Sequence, residues 1–468
     1  MKEATSYRVV LEQTLHHALR YLENLDNEPV AARAALTDLR HRFVRPLPLH
    51  GIPADQVITE LVNDAAGGVV GSTGGRFFGW VIGGSVPAAL AADWLTSTWD
   101  QNAALYAAGP AEAVIEEVCG TWLKELLGLP ATASFALVTG CQMAHVTCLA
   151  AARNSILSQR GWDVERQGLT GAPRIRILAG DQKHGTIDRA ARFLGIGTEA
   201  IIDLPVDNEG CVRSETLAKA LEGDAPTIVV LQAGDLNIGA YDRFVDLIPL
   251  AHQHGAWVHI DGAFGLWAAT SPAHAHLLNG VDLADSWATD GHKWLNVPFD
   301  CGYAFVAHPK AHRAATSYRA SYLTHDENAR DQMDWTPEWS RRGRGVATYA
   351  AIRQLGRSGI AELVARTCRL AHALVTRLGA LPGAELVWEP QINQGLVRFL
   401  DQKTGATEAD HDRRTDSVID SILKSGEAFF GGTTWRGKRC MRVSVCNWQT
   451  NDEDVDRAVA AVQRALTS

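Results

Sequence analysis

The stretch DGHKWLNVPFDCG, residues 290–302, contains a lysine whose neighbours suggest covalent chemistry. Lys293 lies between His292 and Trp294, in a segment that is otherwise apolar and rich in turn-forming residues. An amine in poorly solvated surroundings is more easily kept neutral and nucleophilic, as formation of a Schiff base requires. The alternative interpretation is an ordinary lysine whose stem lies along apolar surface while its ammonium group stays in water.

An aspartate 32 residues earlier could serve the same chemistry. Asp261 ends the apolar run of AWVHIDG, residues 256–262, and small residues follow it. In an α/β sheet, an aspartate at the carboxyl end of a strand points into the crevice where ligands bind. Asp261 could therefore lie under a flat cofactor and pair with its protonated ring nitrogen. A turn-forming or helix-capping aspartate is the alternative interpretation.

A third segment offers a place for a phosphate group. In ALVTGCQMAHVTCLAAAR a strand ends at Val138, the turn contains Gly140, Cys141 and Gln142, and a helix follows. Free backbone N–H groups at a helix start bind phosphate, and Gly140 permits close approach of a ligand. His184 follows another predicted strand, and its imidazole could stack on the ring. A reactive lysine, an acid and a phosphate turn are together the requirements of pyridoxal phosphate.

Parallel strands joined by crossover helices are predicted for the middle of the chain, which would bring these residues to one edge of a sheet. Apolar strand-like runs alternate with stretches of helical period from about residue 110 to 310. The predicted fold class is therefore α/β.

The last third of the chain predicts a smaller α+β unit. Strands are expected at 395–400 and 441–445, and the polar stretch 400–416 predicts an exposed loop. Thr450 and Glu453 predict a capping box at the start of the last helix.

Composition excludes several other classes of protein. The 44 basic and 53 acidic side chains form no basic run, so no nucleic-acid partner is expected. The first residues lack the apolar core of a signal peptide, and the uncharged run 77–92 is too short and too interrupted by glycine and proline to span a membrane. The eight cysteines form no cluster with zinc spacing, which predicts no metal site and favours free thiols in the cytoplasm.

Six segments together resemble the group II pyridoxal-phosphate decarboxylases, which include aromatic amino acid, glutamate and histidine decarboxylases. They are RFFGWVIGG, KHGTIDRAARFLGIG, HIDGAFG, DSWATDGHKWLNVPFDCGYAFV, WSRRGRG and MRVSVCNW, in the family's order and spacing. The resemblance implies a fold type I homodimer with active sites shared between subunits. It implies a helical arm at 1–85, a cofactor domain with a seven-stranded, mostly parallel sheet at 86–345, and a small α+β domain at 346–468.

The resemblance also implies a role for each residue that matches a family motif. Lys293 would form the internal aldimine, Asp261 would pair with the pyridine nitrogen, and His184 would stack on the ring. Further cofactor contacts would come from Ala263 beneath the ring, His292 beside the lysine, and the turn residues Gly140, Cys141 and Gln142. The turn departs from the family's usual small residues at its last two positions, so only their backbone amides are expected to bind.

The same matches suggest where a substrate would lie. Arg442 falls where related enzymes carry an arginine that can grip the substrate α-carboxylate, although a strand-end arginine in a surface pair is the alternative. Phe77, Phe78 and Trp80 match the segment that lines the substrate pocket, or they pack in a dimer interface. If they line the pocket, they favour an aromatic or bulky hydrophobic L-amino acid.

The expected reaction is decarboxylation of that amino acid to its amine and carbon dioxide. In aromatic amino acid decarboxylases, a loop tyrosine eight residues before the SRR motif returns the proton to Cα, and this position holds Gln332 here. Tyr318, Tyr322, His184 or Lys293 could replace it. A missing tyrosine is associated in the family with an oxidative outcome that yields an aldehyde, so that reaction and other carbon–carbon lyase chemistry stay open. A non-catalytic homologue is disfavoured because the lysine, aspartate and histidine are all present.

Overall fold

The computed structural model describes residues 6–318 and 329–467 and contains a seven-stranded sheet at its centre. The strands run in the spatial order β1-β7-β6-β5-β4-β2-β3. Only β7 is antiparallel to its neighbours, and the remaining pairs are parallel. Their bounds are β1 Ser134–Val138, β2 Arg176–Gly180, β3 Ile201–Leu204, β4 Thr227–Gln232, β5 Trp257–Asp261, β6 Ser286–Asp290 and β7 Gly302–Val306. The predicted mostly parallel sheet is confirmed.

The central strands of this sheet are buried on both faces, as their continuous apolar runs require. Separate clusters of buried apolar side chains cover the two faces. The helices before and around the sheet are α1 Tyr7–Asn24, α2 Leu36–Phe43, α3 Ala54–Ala65, α4 Pro87–Trp99, α5 Pro110–Leu127, α6 Cys141–Ser158, α7 Val164–Gln167, α8 Gly185–Phe193, α9 Ser214–Leu221, α10 Phe244–Gln253 and α11 Pro309–Thr316. None of the described helices is long and apolar enough to cross a membrane.

A second, antiparallel sheet of four strands follows, in the order β10-β11-β9-β8. Its strands are β8 Ala384–Trp388, β9 Gln394–Phe399, β10 Gly431–Trp435 and β11 Lys438–Ser444, and its helices are α12 Gly345–Gly379, α13 Glu408–Ser425 and α14 Asp452–Thr467. A cluster of buried apolar residues joins the sheet to these helices.

Two local predictions in this region are wrong. The loop expected at 400–416 is shorter, because Thr407 caps α13 and the helix begins at Glu408. The cap of α14 lies one residue later than predicted: the Asn451 side chain accepts from the N–H groups of Glu453 and Asp454, and Asp454 accepts from the Asn451 N–H. Thr450 instead donates its hydroxyl to the Gly75 carbonyl.

The N-terminal helices differ from the rest of the molecule because α1, α2 and α3 contain no buried residue. Leu15 and Leu19 of α1 and Leu61 of α3 are exposed, and so are Leu47 and Leu49 in the connection before α3. Exposed apolar groups in such numbers are typical of a surface that is covered by another molecule.

A buried ion pair explains part of the WSRRGRG motif. Arg341 donates two hydrogen bonds to the carboxylate of Glu116 in α5, at 2.6 and 2.5 Å, and both side chains are almost fully buried. Burial disfavours the charged guanidinium, but Glu116 outweighs it and raises the pKa of Arg341. The next arginine, Arg342, forms a partly exposed pair with Asp93.

We expect the Arg341→Met substitution to lower the free energy of unfolding by about 3–5 kcal/mol, because it leaves the buried Glu116 carboxylate without its cationic partner and with only the Arg344 N–H as a donor. Denaturant unfolding followed by circular dichroism measures this loss. The matched control is Arg342→Met, which removes an exposed pair and should cost less than about 1 kcal/mol. Equal losses for the two variants would contradict the structural role of Arg341.

Candidate active site

The predicted site residues converge at the carboxyl ends of the parallel strands. Asp261 is the last residue of β5, and Asp290 is the last residue of the adjacent β6. Lys293 follows in the turn that connects β6 to β7, and α6 begins at Cys141 directly after β1. Parallel strands end at the same edge of a sheet, so the topology alone brings the amine, the acids and the helix start together.

Lys293 points its amine toward an acid that the sequence prediction did not consider. Its Nζ atom lies 3.1 Å from Oδ2 of Asp290, and 22% of the lysine side chain is exposed. Burial favours the neutral amine, but the nearby Asp290, Cys141 and Asp261 outweigh it and raise the pKa of Lys293. The expectation of an amine kept neutral by apolar surroundings is therefore wrong, because an anion lies within contact distance.

Asp261 is buried in a network of histidines. Its Oδ2 atom lies 3.6 Å from Nε2 of His145 in α6, and its Oδ1 atom accepts from the Ala263 N–H at 3.2 Å. His145 in turn contacts His259 of β5 at 2.9 Å, and His259 contacts the Ser286 hydroxyl at 2.9 Å. Burial opposes ionisation of Asp261, but His145, His184 and Lys293 outweigh it and hold the pKa of the carboxyl below its ordinary value. Asp261 is therefore a carboxylate near neutral pH.

Sequence reasoning missed His145 and His259. Burial lowers the pKa of both imidazoles, that of His259 to about 3, so His259 is neutral near pH 7. Neutral imidazoles can pass hydrogen bonds along the chain from Ser286 to Asp261 and fix the orientation of each ring. His145 lies one helical turn after Cys141, which places both on one face of α6, and this spacing was the available signal.

The predicted phosphate turn lies beside the lysine. The N–H of Cys141 donates to Oδ1 of Asp290 at 2.6 Å, and the Gln142 side chain donates to the Thr186 carbonyl at 3.3 Å. A Cβ on Gly140 would lie 3.1 Å from the His292 ring, so a larger residue would crowd the turn. Helix α6 has 18 residues, and the N–H groups of Met143 and Ala144 in its first turn donate to the Gly140 carbonyl, at 2.9 and 3.0 Å.

His184 caps the start of α8 and faces the same cleft. Its Nδ1 atom accepts from the Thr186 N–H at 3.3 Å and contacts the Thr186 hydroxyl at 2.9 Å. Burial, together with the charges of Lys293 and Arg442, lowers the pKa of His184, which Asp261 opposes. His292 instead stacks on Phe299, with ring centroids 4.2 Å apart, and accepts from the Cys301 N–H at 3.3 Å.

Arg442 lies in β11 and reaches the cleft from the small sheet. It is buried, and one of its Nη atoms donates to the Leu236 carbonyl at 2.9 Å. Burial lowers the pKa of Arg442, while the nearby Asp235 carboxylate opposes this shift. The side chain is therefore not part of an exposed surface pair.

The aromatic segment before α4 divides between two environments. Phe77 and Trp80 pack against Phe429, with ring centroids 4.6 and 5.3 Å from it, and Trp80 remains 56% exposed. Phe78 is fully buried, stacks on Phe430 and belongs to the core of the small sheet. Phe78 thus packs in a core rather than in a pocket, and Phe429 is an aromatic neighbour that the sequence prediction missed.

Gly83 ties this segment to the lysine turn. Its N–H donates to the His292 carbonyl at 3.3 Å, and a Cβ there would collide with the Lys293 carbonyl. Phe77, Trp80 and Phe429 form an aromatic cluster. Trp80 lies three residues before Gly83, and Gly83 contacts the turn that contains Lys293 directly.

Gln332 lies away from the cleft. It is fully buried in a 3-10 turn, and its amide donates to the Ala113 carbonyl of α5 at 3.4 Å. Tyr318 is 65% exposed and contacts Trp339, whereas Tyr322 falls outside the described residues. Lys293 and His184 are the two predicted proton donors that the described part of the chain places in the cleft.

Cys141, His145 and Asp261 also offer one potential metal ligand atom each, all within 4.8 Å of one another. Burial raises the pKa of the Cys141 thiol well above its ordinary value, and Asp290 and Asp261 add to the shift. The thiol is therefore neutral near pH 7, whereas metals bind the thiolate. We assign these three residues to the floor of the cleft.

The residues present fit pyridoxal phosphate. The cofactor needs an amine for its aldehyde, an anion for its ring nitrogen and N–H donors for its phosphate. Lys293, the ionised Asp261 and the glycine-containing turn before α6 supply these three functions at one sheet edge. Ala263, a small residue, lies two positions after Asp261. Its carbonyl accepts from the Asp290 N–H at 2.9 Å, which joins the ends of β5 and β6 at the bottom of the cleft.

The sheet and this set of groups define a pyridoxal-phosphate enzyme, and comparison with known proteins agrees. The pyridoxal-dependent decarboxylase conserved domain matches residues 39–400. The aromatic-L-amino-acid decarboxylase of Bacillus atrophaeus is 24% identical over 452 residues, which cover 95% of this chain and 92% of that protein. The 4-hydroxyphenylacetaldehyde synthase of Rhodiola rosea is 24% identical over 462 residues, which cover 96% of this chain and 92% of that protein.

A solved structure shows the same fold. Oryza sativa TDC with PLP and tryptamine superimposes with a TM-score of 0.93 at 22% identity, covering 100% of this chain and 99% of that one. The chain belongs to the pyridoxal-dependent decarboxylase family, and pyridoxal phosphate is its cofactor. It is accordingly a carboxy-lyase of amino acid metabolism.

Proposed function

We propose that this enzyme removes the α-carboxylate of an aromatic L-amino acid, which yields the amine and carbon dioxide. The observation that carries the substrate class is the aromatic cluster of Phe77, Trp80 and Phe429, anchored beside the Lys293 turn through Gly83. Aromatic substrates bind well against such rings in offset or edge-to-face contact. Relatives named for aromatic amino acids support the choice.

Each residue of the cleft then has a defined task. Bound pyridoxal phosphate supplies an aldehyde and an electron-withdrawing ring. Lys293 would hold the cofactor covalently, Asp261 would keep its ring nitrogen protonated, and the turn of Gly140, Cys141 and Gln142 would bind its phosphate through backbone N–H groups. His184 and Ala263 would contact the ring, and His292 would support the turn that contains Lys293.

Arg442 would orient the substrate. Its guanidinium fork suits a carboxylate, and its charge is close enough to His184 to lower the pKa of that imidazole. Lys293 lies beside Asp290, which favours its ammonium form, so it would be able to supply the proton that returns to Cα. This assignment agrees with the burial of Gln332 away from the cleft.

The test is a panel of the protein amino acids, with carbon dioxide, amine, aldehyde and peroxide measured in parallel. We expect equimolar amine and carbon dioxide from at least one aromatic amino acid. Turnover of only acidic or small substrates would contradict the proposed class.

Oxidative decarboxylation is the second candidate. Its support is the replacement of the loop tyrosine by Gln332, which lies buried against α5, and the similarity to an aldehyde synthase. This reaction consumes oxygen and water and releases aldehyde, ammonia and hydrogen peroxide with the carbon dioxide. Peroxide in a constant ratio to carbon dioxide would identify it, and its absence would favour simple decarboxylation.

We expect Trp80→Ala to lower kcat/KM for aromatic amino acids by about 10-fold, mainly through KM, since one aromatic contact contributes about 0.5–1.5 kcal/mol. The measurement is steady-state kinetics on the preferred substrate. Trp80→Phe is the matched control and should retain most of the affinity. An unchanged KM in the Trp80→Ala variant would show that Trp80 does not line the substrate pocket.

We also propose a homodimer, in which a second copy covers the exposed apolar surface of α1 to α3. Sedimentation of the purified protein tests this, and a monomer at micromolar concentration would contradict it.

The proposed domains are an arm at 1–85, a cofactor domain at 86–345 and a small domain at 346–468. A cytoplasmic location is proposed because all eight cysteines are free thiols.

A further inference from the structure

Asp290 connects the two groups that are needed to capture the cofactor. Its Oδ2 atom lies 3.1 Å from the Lys293 amine, and its Oδ1 atom accepts from the Cys141 N–H at 2.6 Å. Its side chain is only 3% exposed. One buried carboxylate therefore pairs at once with the reactive amine and with the first amide of the phosphate turn.

The carboxylate has little room to leave this position. A Cβ on Gly302, which pairs with Asp290 across β6 and β7, would lie 3.0 Å from Oδ1, and one on Gly140 would lie 3.4 Å away. His292 contributes a third neighbour, with Nε2 3.6 Å from Oδ1. The backbone at Gly302 and at Gly140 thus confines the Asp290 carboxylate between the Lys293 amine and the phosphate turn.

Both contacts oppose capture of pyridoxal phosphate. An amine attacks an aldehyde only when it is neutral, and the adjacent carboxylate favours the ammonium form. Condensation then joins the lysine nitrogen to the aldehyde carbon and releases water, so the ammonium must first give up a proton. The phosphate dianion must also approach an amide N–H that already donates to a carboxylate, and the two anions repel.

We propose that Asp290 is a positioning residue that holds the cofactor-free site as an ion pair and slows cofactor capture. The same pair neutralises the Lys293 ammonium, which would otherwise have no carboxylate in direct contact when the cofactor is absent. Asp290 thus stabilises the cofactor-free protein but lowers the rate at which that protein binds the cofactor. The proposal rests on the role of Lys293 given above, but it does not depend on the substrate.

The test compares cofactor-free wild type with Asp290→Asn, which keeps the shape and the acceptor for the Cys141 N–H but removes the charge. Stopped-flow absorbance follows binding of two probes, pyridoxal phosphate and pyridoxal, which lacks the phosphate. We expect the variant to bind pyridoxal phosphate at least 10-fold faster. Pyridoxal should also gain, but less, because only the amine contact affects it.

Labelling of the Lys293 amine gives a second readout that needs neither cofactor nor turnover. Acetic anhydride modifies neutral amines, and mass spectrometry reports the extent at each lysine. In the cofactor-free state, Lys293 should react faster in Asp290→Asn than in wild type, relative to the surface residue Lys219. The charge-matched control is Asp300→Asn, which alters a partly exposed ion pair with Arg344 and should change neither rate.

Equal or slower capture of pyridoxal phosphate by a folded Asp290→Asn protein would overturn the proposal. A gain for pyridoxal phosphate without any gain for pyridoxal or for labelling would overturn the part that concerns Lys293. Failure of the proposed function would appear differently, as normal cofactor binding without decarboxylation of any amino acid in the panel.

Discussion

We expect Lys293→Ala to abolish covalent attachment of the cofactor and to lower turnover by roughly 1,000-fold or more, because the described part of the chain places no other lysine at the end of β6. Borohydride reduction measures the attachment directly: wild type should carry one cofactor per chain on the peptide that contains Lys293. The variant should carry none and should bind pyridoxal phosphate only loosely.

The control for this variant is Lys219→Ala, in which an exposed lysine of α9 is removed. It should match the wild type in cofactor content and rate. Near-normal turnover by Lys293→Ala would refute the central assignment, and a cofactor adduct on another lysine would move the active site elsewhere.

Asp261→Ala is expected to lower turnover by about 100-fold or more with a much smaller effect on folding. The ring nitrogen of the cofactor then has no buried anion to keep it protonated, so the ring withdraws electrons less strongly. Steady-state rates, cofactor affinity and the melting temperature are measured together on the same preparation.

Asp261→Glu separates charge from position. It keeps the anion but displaces it by one methylene toward His145, so partial recovery of the rate is expected. An activity loss that followed only a fall in melting temperature would make Asp261 a structural residue, and the pairing with the cofactor would be wrong.

The large sheet was predictable from sequence because its strands are buried on both faces. Continuous apolar runs at β2, β4, β5 and β7 indicated strands, and the helices between them indicated parallel connections. Strand β3 was missed because only Leu204 among its four residues is buried, which leaves it without a continuous apolar signal.

The small unit was harder to predict for a related reason. Strands β8 and β10 lie at the edges of the antiparallel sheet and contain half-exposed residues, so their patterns do not differ from those of loops. The start of α13 was missed because its first turns are almost entirely charged. Its stability comes from the Thr407 cap and from the buried side chains of Val418, Ile419 and Ile422, which lie in the second half of the helix.

Within the site, sequence indicated which residues converge but not their charge states. Lys293, Asp261, His184 and the turn could each be found from a motif and a strand end. The contact between Asp290 and Lys293 depends on how the backbone turns after β6, and no residue type specifies that distance. For this reason the amine was expected to be neutral, whereas the folded chain favours its ammonium form.

The connection between β6 and β7 determines how far the reactive amine can travel. Asp290 and Gly302 pair directly across the two strands, and the Gly291 N–H donates to the Cys301 carbonyl at 3.1 Å. Asn296 and Gly83 hold the carbonyl groups next to Lys293 in place. The backbone around Lys293 is therefore held in place, and the reactive amine would move by rotation about the bonds of the four methylene groups in the lysine side chain.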